Sequence, residues 1–373
     1  MTERDGPREA AGARTETAEE ACRTLVHLLY TRRRDWEPMS SAPDGRGQLK
    51  RSLLIADYAR RSLSLPPERK TVLDRLVVES FLPPDPARPW QGVPTASEAV
   101  TAADIGIVVV IREELEAVLE VFGLDDGLFD TGPGGQRFYF TEVSSRHRPD
   151  RPLSVVVTAA ARAGNVEVAA PTRALVERCA PEAVFLVGTA AGVQGKVRLG
   201  DVVATHSVHY YEPGRLASPD VWQPRPAYGQ GTDAYGYGLY YYNPRRTDFG
   251  RSVTQFLRGL PRQLLPEAVD LAHVPEVHST NVTIASGENV LRDGKFLNGL
   301  RERFDNTICA ADMEAFGFVR AVGERRWLIF RGISDYGDAR QWDNWKFLSS
   351  AFAALCVRDF LRTYYFPPGS ETY

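Results

Sequence analysis

The sequence predicts an α/β protein, and three observations carry that reading. Apolar runs without alternation, such as Ile105-Gly106-Ile107-Val108-Val109-Val110-Ile111 and Trp327-Leu328-Ile329-Phe330, have the composition of strands buried on both faces of a sheet. From Asp104 onward such runs alternate with stretches of helical spacing. The chain has 373 residues and is 43% hydrophobic, enough for the core of one large domain accompanied by a small one.

The first 81 residues read as a small helical module. In 15–34, Ala18, Cys22, Leu25, Val26 and Leu29 fall at helical spacing, with Glu19 and Glu20 early and Arg32, Arg33 and Arg34 late, as the helix dipole prefers. Asp35 and Glu37 follow at once, so the triple arginine is a solvated helix end rather than a nucleic-acid patch. Two further helices are predicted over 47–63 and 67–81, the second opened by Pro66-Pro67. Pro83, Pro84, Pro86, Pro89 and Pro94 make 82–103 a stiff linker.

The α/β domain occupies 104–365. Its predicted strands are 105–111, 137–143, 153–158, 183–187, 201–206, 281–286, 307–311 and 327–333. Its predicted helices begin with 112–119 and 165–179, continue with 248–260 and 293–303, and end with one from about 313 and one over 344–362. Residues 210–247 interrupt this rhythm with Tyr-, Pro- and Gly-rich sequence and are expected to form a lid or an interface segment.

Composition removes several classes of function. With 45 basic against 48 acidic residues the net charge is −3, which gives no electrostatic argument for a nucleic acid or an anionic membrane. Cys22, Cys179, Cys309 and Cys356 are scattered, which suits a reducing cytoplasm and argues against a zinc or disulfide framework. No apolar run approaches the length of a membrane span. Gly195-Lys196 lacks the remaining residues of a P-loop, and no G-x-G-x-x-G follows a strand, so no cofactor is expected. His206 and His209, three apart on a strand, point to opposite faces, so no metal site is expected there.

Four stretches carry the candidate chemistry: Glu113-Glu114, Gly188-Thr189-Ala190-Ala191-Gly192, Asp312-Met313-Glu314, and Ser334-Asp335. Each follows a predicted strand, and in open α/β sheets the crevice beyond the carboxyl ends of the strands is where small molecules bind. Singly, each has a structural alternative: Asp335 as a helix N-cap, Glu114 and Glu314 as first-turn acids, Thr189 as a turn hydroxyl. Jointly they predict one crevice lined by carboxylates.

These motifs, with Val197-Arg198-Leu199-Gly200-Asp201-Val202-Val203, Ser286-Gly287-Glu288 and Arg331-Gly332-Ile333-Ser334-Asp335, resemble the purine nucleoside phosphorylase and nucleosidase superfamily. The nearer likeness is to its methylthioadenosine/S-adenosylhomocysteine nucleosidase branch. The resemblance covers 104–365 and implies a phosphorylase-type three-layer domain around a central mixed sheet. It also implies roles. Asp335, with Ser334 beside it, meets purine N7. Glu314 holds the ribose hydroxyls, with Met313 against the sugar. Glu114 positions or deprotonates the attacking water. Thr189 stands where Ser is usual. Ser286, Gly287 and Glu288 belong to the segment whose backbone meets the base, with Asn289 and Val290 lining it.

The implied reaction is hydrolysis of the N-glycosidic bond of an adenine-type nucleoside such as methylthioadenosine or S-adenosylhomocysteine. Water is favoured over phosphate because the phosphorylase relatives carry an arginine where this chain has Leu186, and Gly-Asp-Pro-x-x-Arg is absent, with Arg112 left as a stray candidate. Stretches around Arg215 and Arg225 are similar to phosphorylase-like domains of bacterial conflict proteins, which carry helical adaptor modules. That likeness opens a second reading, a nucleotide (AMP/ATP) nucleosidase effector in bacterial defence, controlled by the N-terminal module, with these arginines toward a 5′-phosphate. A phosphate-dependent nucleoside phosphorylase and a non-catalytic nucleoside-binding module also stay open. By analogy with the fold a homo-oligomer is expected, as is a protein partner for the module.

Overall fold

The computed structural model describes residues 102–364 apart from 219–220, 232, 262–264, 267–268, 270–273 and 339–342. The helical module and all but the last two residues of the linker lie outside the described residues.

Strand β1 (Ile105–Val109) is buried at every position, as its unbroken apolar run requires. It runs parallel to β4 (Arg148–Ala159) on one side and β5 (Ala183–Gly192) on the other. β14 (Arg326–Asp335) lies parallel along the opposite edge of β5. Beyond β4 follow β3 (Arg137–Ser145) and β2 (Asp130–Thr131), both in antiparallel pairing. β6 (Val202–Thr205) pairs antiparallel with β14 and parallel with β11 (Val277–His278).

β13 (Ile308–Asp312) arrives antiparallel to β5 and connects it to β12 (Thr283–Ser286), β7 (Ser207–Tyr210) and β10 (Ala227–Gln230). Among the described residues these make one mixed sheet of 12 strands. One detail of register positions the site. On one edge of β5, Ala183–Leu186 pair with β1 while Ala191 and Gly192 pair with β13, and among the described residues no strand flanks the interval between them.

Side chains alternate across this sheet into two cores. Ile105, Ile107, Phe185, Leu328 and Phe330 point to the layer of α1 (Arg112–Phe122), α4 (Phe249–Gly259) and α7 (Asp343–Thr363). Val108, Val184, Leu186 and Ile329 point to that of α2 (Asn165–Cys179) and α6 (Ala315–Val322). The result is the expected three-layer domain around a mixed sheet. α5 (Gly294–Arg303) packs Leu297 and Leu300 in a third, smaller cluster with Ile308 and Ala311.

At the site, β5 and β14 run further than sequence predicts. β5 continues through Gly188 to Gly192, and β14 continues to Asp335. Thr189 and Asp335 are therefore strand residues held by pairing, and the first residue of the helix after Asp335 is Asp343. The 210–247 interruption contains the hairpin of β8 (Gly214–Ser218) and β9 (Val221–Pro224), then β10 and α3 (Asp233–Tyr241).

α7 lies directly on β14. A side chain at Gly332 would collide with the backbone carbonyl of Ser349, whose hydroxyl donates to the Ile333 carbonyl at 2.8 Å. Gly332→Ala is expected to destabilise the domain by about 1–3 kcal/mol, because neither backbone can yield. A lowered urea midpoint at unchanged slope is the measurement that checks it.

Candidate active site

The unpaired interval of β5 is completed by a side chain. Glu114, in the first turn of α1 and only 3% exposed, accepts the Thr189 amide at 2.8 Å and the Thr189 hydroxyl at 3.1 Å through Oε1. Its Oε2 accepts the amides of Val110 at 2.8 Å and Ile111 at 3.3 Å, where the chain leaves β1. The carboxylate does there what a neighbouring strand would do. Gly188 leaves it room, since a Cβ at that position would overlap both the Glu114 carboxylate and the Arg331 guanidinium.

Arg331, midway along β14, is fully buried. Nε and Nη2 both donate to Asp312 Oδ2, at 3.0 and 2.7 Å, Nη2 also donates to Glu314 Oε2 at 2.9 Å, and Nη1 lies 3.5 Å from Glu114 Oε1. A guanidinium with several fixed donors suits this convergence of carboxylates. Burial opposes the charge on Arg331, but Asp312, Glu114 and Glu314 push its pKa up.

The acids outnumber the base, and Glu314 responds. Burial, opposed by Arg331 and reinforced by Asp312 and Glu114, raises its pKa from 4.5 to about 7. Its Oε1 accepts the Gly164 amide at 3.0 Å. The next residue, Asn165, secures this corner: its Oδ1 accepts the Gly317 amide at 2.7 Å and the Ser286 hydroxyl at 3.1 Å, and its Nδ2 donates to the Gly287 carbonyl and Glu288, each at 3.0 Å.

Asp335 closes the other side. Its Oδ2 accepts from the Ser334 hydroxyl and its Oδ1 from the Gly337 amide, both at 2.8 Å, so it caps a turn rather than a helix. Glu114, Thr189, Met313, Glu314, Ser334 and Asp335 line one cavity of about 230 Å³, as do Asn289, Val290 and Lys346. A larger cleft of about 860 Å³ runs along Tyr240–Tyr242 and Arg245, and it contains none of these carboxylates.

Residues 104–361 match the model of the Phosphorylase superfamily. The chain belongs to the phosphorylase superfamily. The ATP nucleosidase Cap17 of Escherichia coli strain KTE188 is 30% identical over 280 residues, which cover 72% of this chain and 52% of the relative. The chain thus spans about half the length of the Cap17 sequences it matches.

Among solved structures, the S-adenosylhomocysteine nucleosidase of Streptococcus pyogenes superposes with a TM-score of 0.51 at 17% identity, over 70% of this chain and 98% of that one. The 5′-methylthioadenosine/S-adenosylhomocysteine nucleosidase of S. pneumoniae does so with 0.50 at 16%, over 69% and 98%. At such identities these two likenesses establish the fold.

Within this superfamily domain the sequence-predicted residues divide. Glu114, Thr189, Met313, Glu314, Asn289, Val290, Ser334 and Asp335 come together at the cavity. Ser286 does not line it: it is buried and bonded to Asn165 and the Phe316 amide. Glu288 faces Asn165 and Tyr210. Arg215 bonds Gln223 across the exposed hairpin, and Arg225, also exposed, does not line the cavity either. A hairpin arginine carries no local signal of which way its strand faces.

Sequence reasoning assigns no role to Arg331, Asp312, Asn165 or Lys346. For Arg331 a signal exists, since a cation straight after Trp327-Leu328-Ile329-Phe330 in a buried strand must find carboxylates.

The raised pKa of Glu314 fixes a sign for pH dependence. Between about 4.5 and about 7 the folded protein binds a proton that the unfolded chain has lost. Its contribution to stability is therefore full below about 4.5 and is lost as pH rises through about 7. The thermal midpoint of the wild type is expected to fall across that range, and Glu314→Gln to flatten the slope; parallel slopes in a pH series of melts would contradict this.

Proposed function

We propose that this chain hydrolyses the N-glycosidic bond of an adenine-type purine nucleoside or its 5′-phosphorylated form, releasing the free base. The observation that carries this reading is the convergence of Glu114, Glu314 and Asp335, from three separate elements, on one cavity. Cleavage of this bond passes through an oxocarbenium-like state, which calls for an acid on the leaving group and carboxylates near the sugar and the water.

In this reading Asp335 gives a proton to N7 as the electrons of the C1′–N9 bond move into the base. Glu314 holds the ribose hydroxyls. Water attacks C1′ and yields a proton to Glu114, leaving free base and a ribose hemiacetal. Glu114 accepts four hydrogen bonds in the resting site, which occupy its lone pairs. Of these donors only the Thr189 hydroxyl can rotate away and leave a position for the water. Arg331, behind the carboxylates, keeps them in register.

Water rather than phosphate is favoured by the cavity wall. Leu186 is buried in the core, Arg112 pairs with Glu116 on the surface, and among the described residues no arginine lines the cavity. A nucleotide substrate is supported by the 30% identity to Cap17, an ATP nucleosidase.

The test is to incubate the purified full chain with methylthioadenosine, S-adenosylhomocysteine, adenosine, AMP and ATP, with and without inorganic phosphate, and to follow free adenine. Release without phosphate is expected from at least one; no base from any of them, or strict phosphate dependence, would refute hydrolysis. Asp335→Asn is expected to keep the fold and substrate binding while lowering turnover about 10²–10⁴-fold, measured by single-turnover adenine release.

A further inference from the structure

Among the described residues lining the cavity, Lys346 is the single cation, set against Glu114, Asp312, Glu314 and Asp335. Arg331 is the other nearby cation, but it is fully buried and engaged behind three of those carboxylates. A negatively charged group brought into this cavity meets unfavourable charge, which Lys346, among the described lining residues, offsets.

The position of Lys346 is set by the fold. The contact of Ser349 with Gly332 and Ile333 fixes α7 on β14. Three residues earlier on the same helix face, Lys346 stands one turn further toward Ser334 and Asp335. Its neighbour Trp345 is buried and would crowd any side chain placed at Gly200, which holds the rotation of the helix. Lys346 is the fourth residue of α7, in the first turn, where a cation faces the positive end of the macrodipole.

We propose that Lys346 receives the 5′-phosphate of a purine nucleotide and sets the preference for nucleotides over nucleosides, an inference that rests on the glycosidase reading above. An ammonium and a phosphate form a charge-assisted pair, whereas the 5′-hydroxyl or thioether of a nucleoside offers it no charge. Free phosphate has the same chemistry, so the test separates the two sources.

Lys346→Met and Lys346→Arg, in the full chain, are compared with wild type for adenine release from ATP, AMP and adenosine, with and without inorganic phosphate. The ratio of kcat/KM for ATP to that for adenosine is expected to fall about tenfold or more in Lys346→Met, through KM, and to recover in part in Lys346→Arg. Equal losses on ATP and adenosine, or no loss on either, would overturn the assignment. So would adenosine cleavage that phosphate stimulates and Lys346→Met abolishes, since that result places free phosphate at the lysine.

A binding measurement separates this inference from the reading it rests on. ATP and adenosine are titrated calorimetrically into Asp335→Asn, with and without Lys346→Met. A drop of about tenfold in the ratio of ATP to adenosine affinity supports Lys346 even if no base is ever released. An unchanged ratio, or no ATP binding to either protein, counts against it.

Discussion

The site depends on one buried ion-pair cluster. Arg331, fully buried on the central strand β14, meets Asp312 at 2.7 Å, Glu314 at 2.9 Å and Glu114 at 3.5 Å, and those acids come from the end of β13, the turn after it and the start of α1. Taking so many charges out of water is unfavourable unless each is paired, and removing one partner of such a group costs about 3–5 kcal/mol. The cluster therefore holds together elements far apart in sequence. It also accumulates more negative than positive charge, which adds to burial in raising the proton affinity of Glu314.

The sheet topology supplies the place for that cluster. β1, β5 and β14 are parallel and end on the same side, while β13 comes in against β5 and delivers Asp312, Met313 and Glu314 to the same spot from the opposite direction. The familiar crevice at the carboxyl ends of parallel strands is thus built here with one antiparallel contributor. The helix layers then divide the work. α1 brings Glu114, α7 brings Lys346, and Gly164 and Asn165 at the start of α2 hold Glu314 and the turn after β12.

How much of this was legible in the sequence follows from where each signal resides. β1 and the core of β14 are continuous apolar runs, and α2 has helical spacing, so these elements follow from local pattern. The extension of β5 through Gly188-Thr189-Ala190-Ala191-Gly192 does not, because its composition is that of a turn and only pairing with β14 and β13 makes it a strand. Glu114, Glu314 and Asp335 were recognisable as an ordered set although each alone resembles a helix or turn acid. Ser286 and Glu288 read as a segment whose backbone meets the base, but nothing in the sequence links their side chains to Asn165, a partner that lies far away in the chain. Lys346 gave no sign, since a lysine early in a helix looks like solvated surface until the helix is docked.

The gap in the edge of β5 gives the acids different diagnostic weight. Glu114 stands in for a missing strand, and without it the Thr189 amide would lie unsatisfied beside the core, a loss of about 1–3 kcal/mol. A descendant of this chain whose cavity had lost any role would still be held to that glutamate by folding. Asp335 caps only a turn beside the cavity, so folding constrains it far less. In comparing variants of this domain, a retained glutamate attests chiefly to an intact sheet, whereas a retained aspartate owes little to folding.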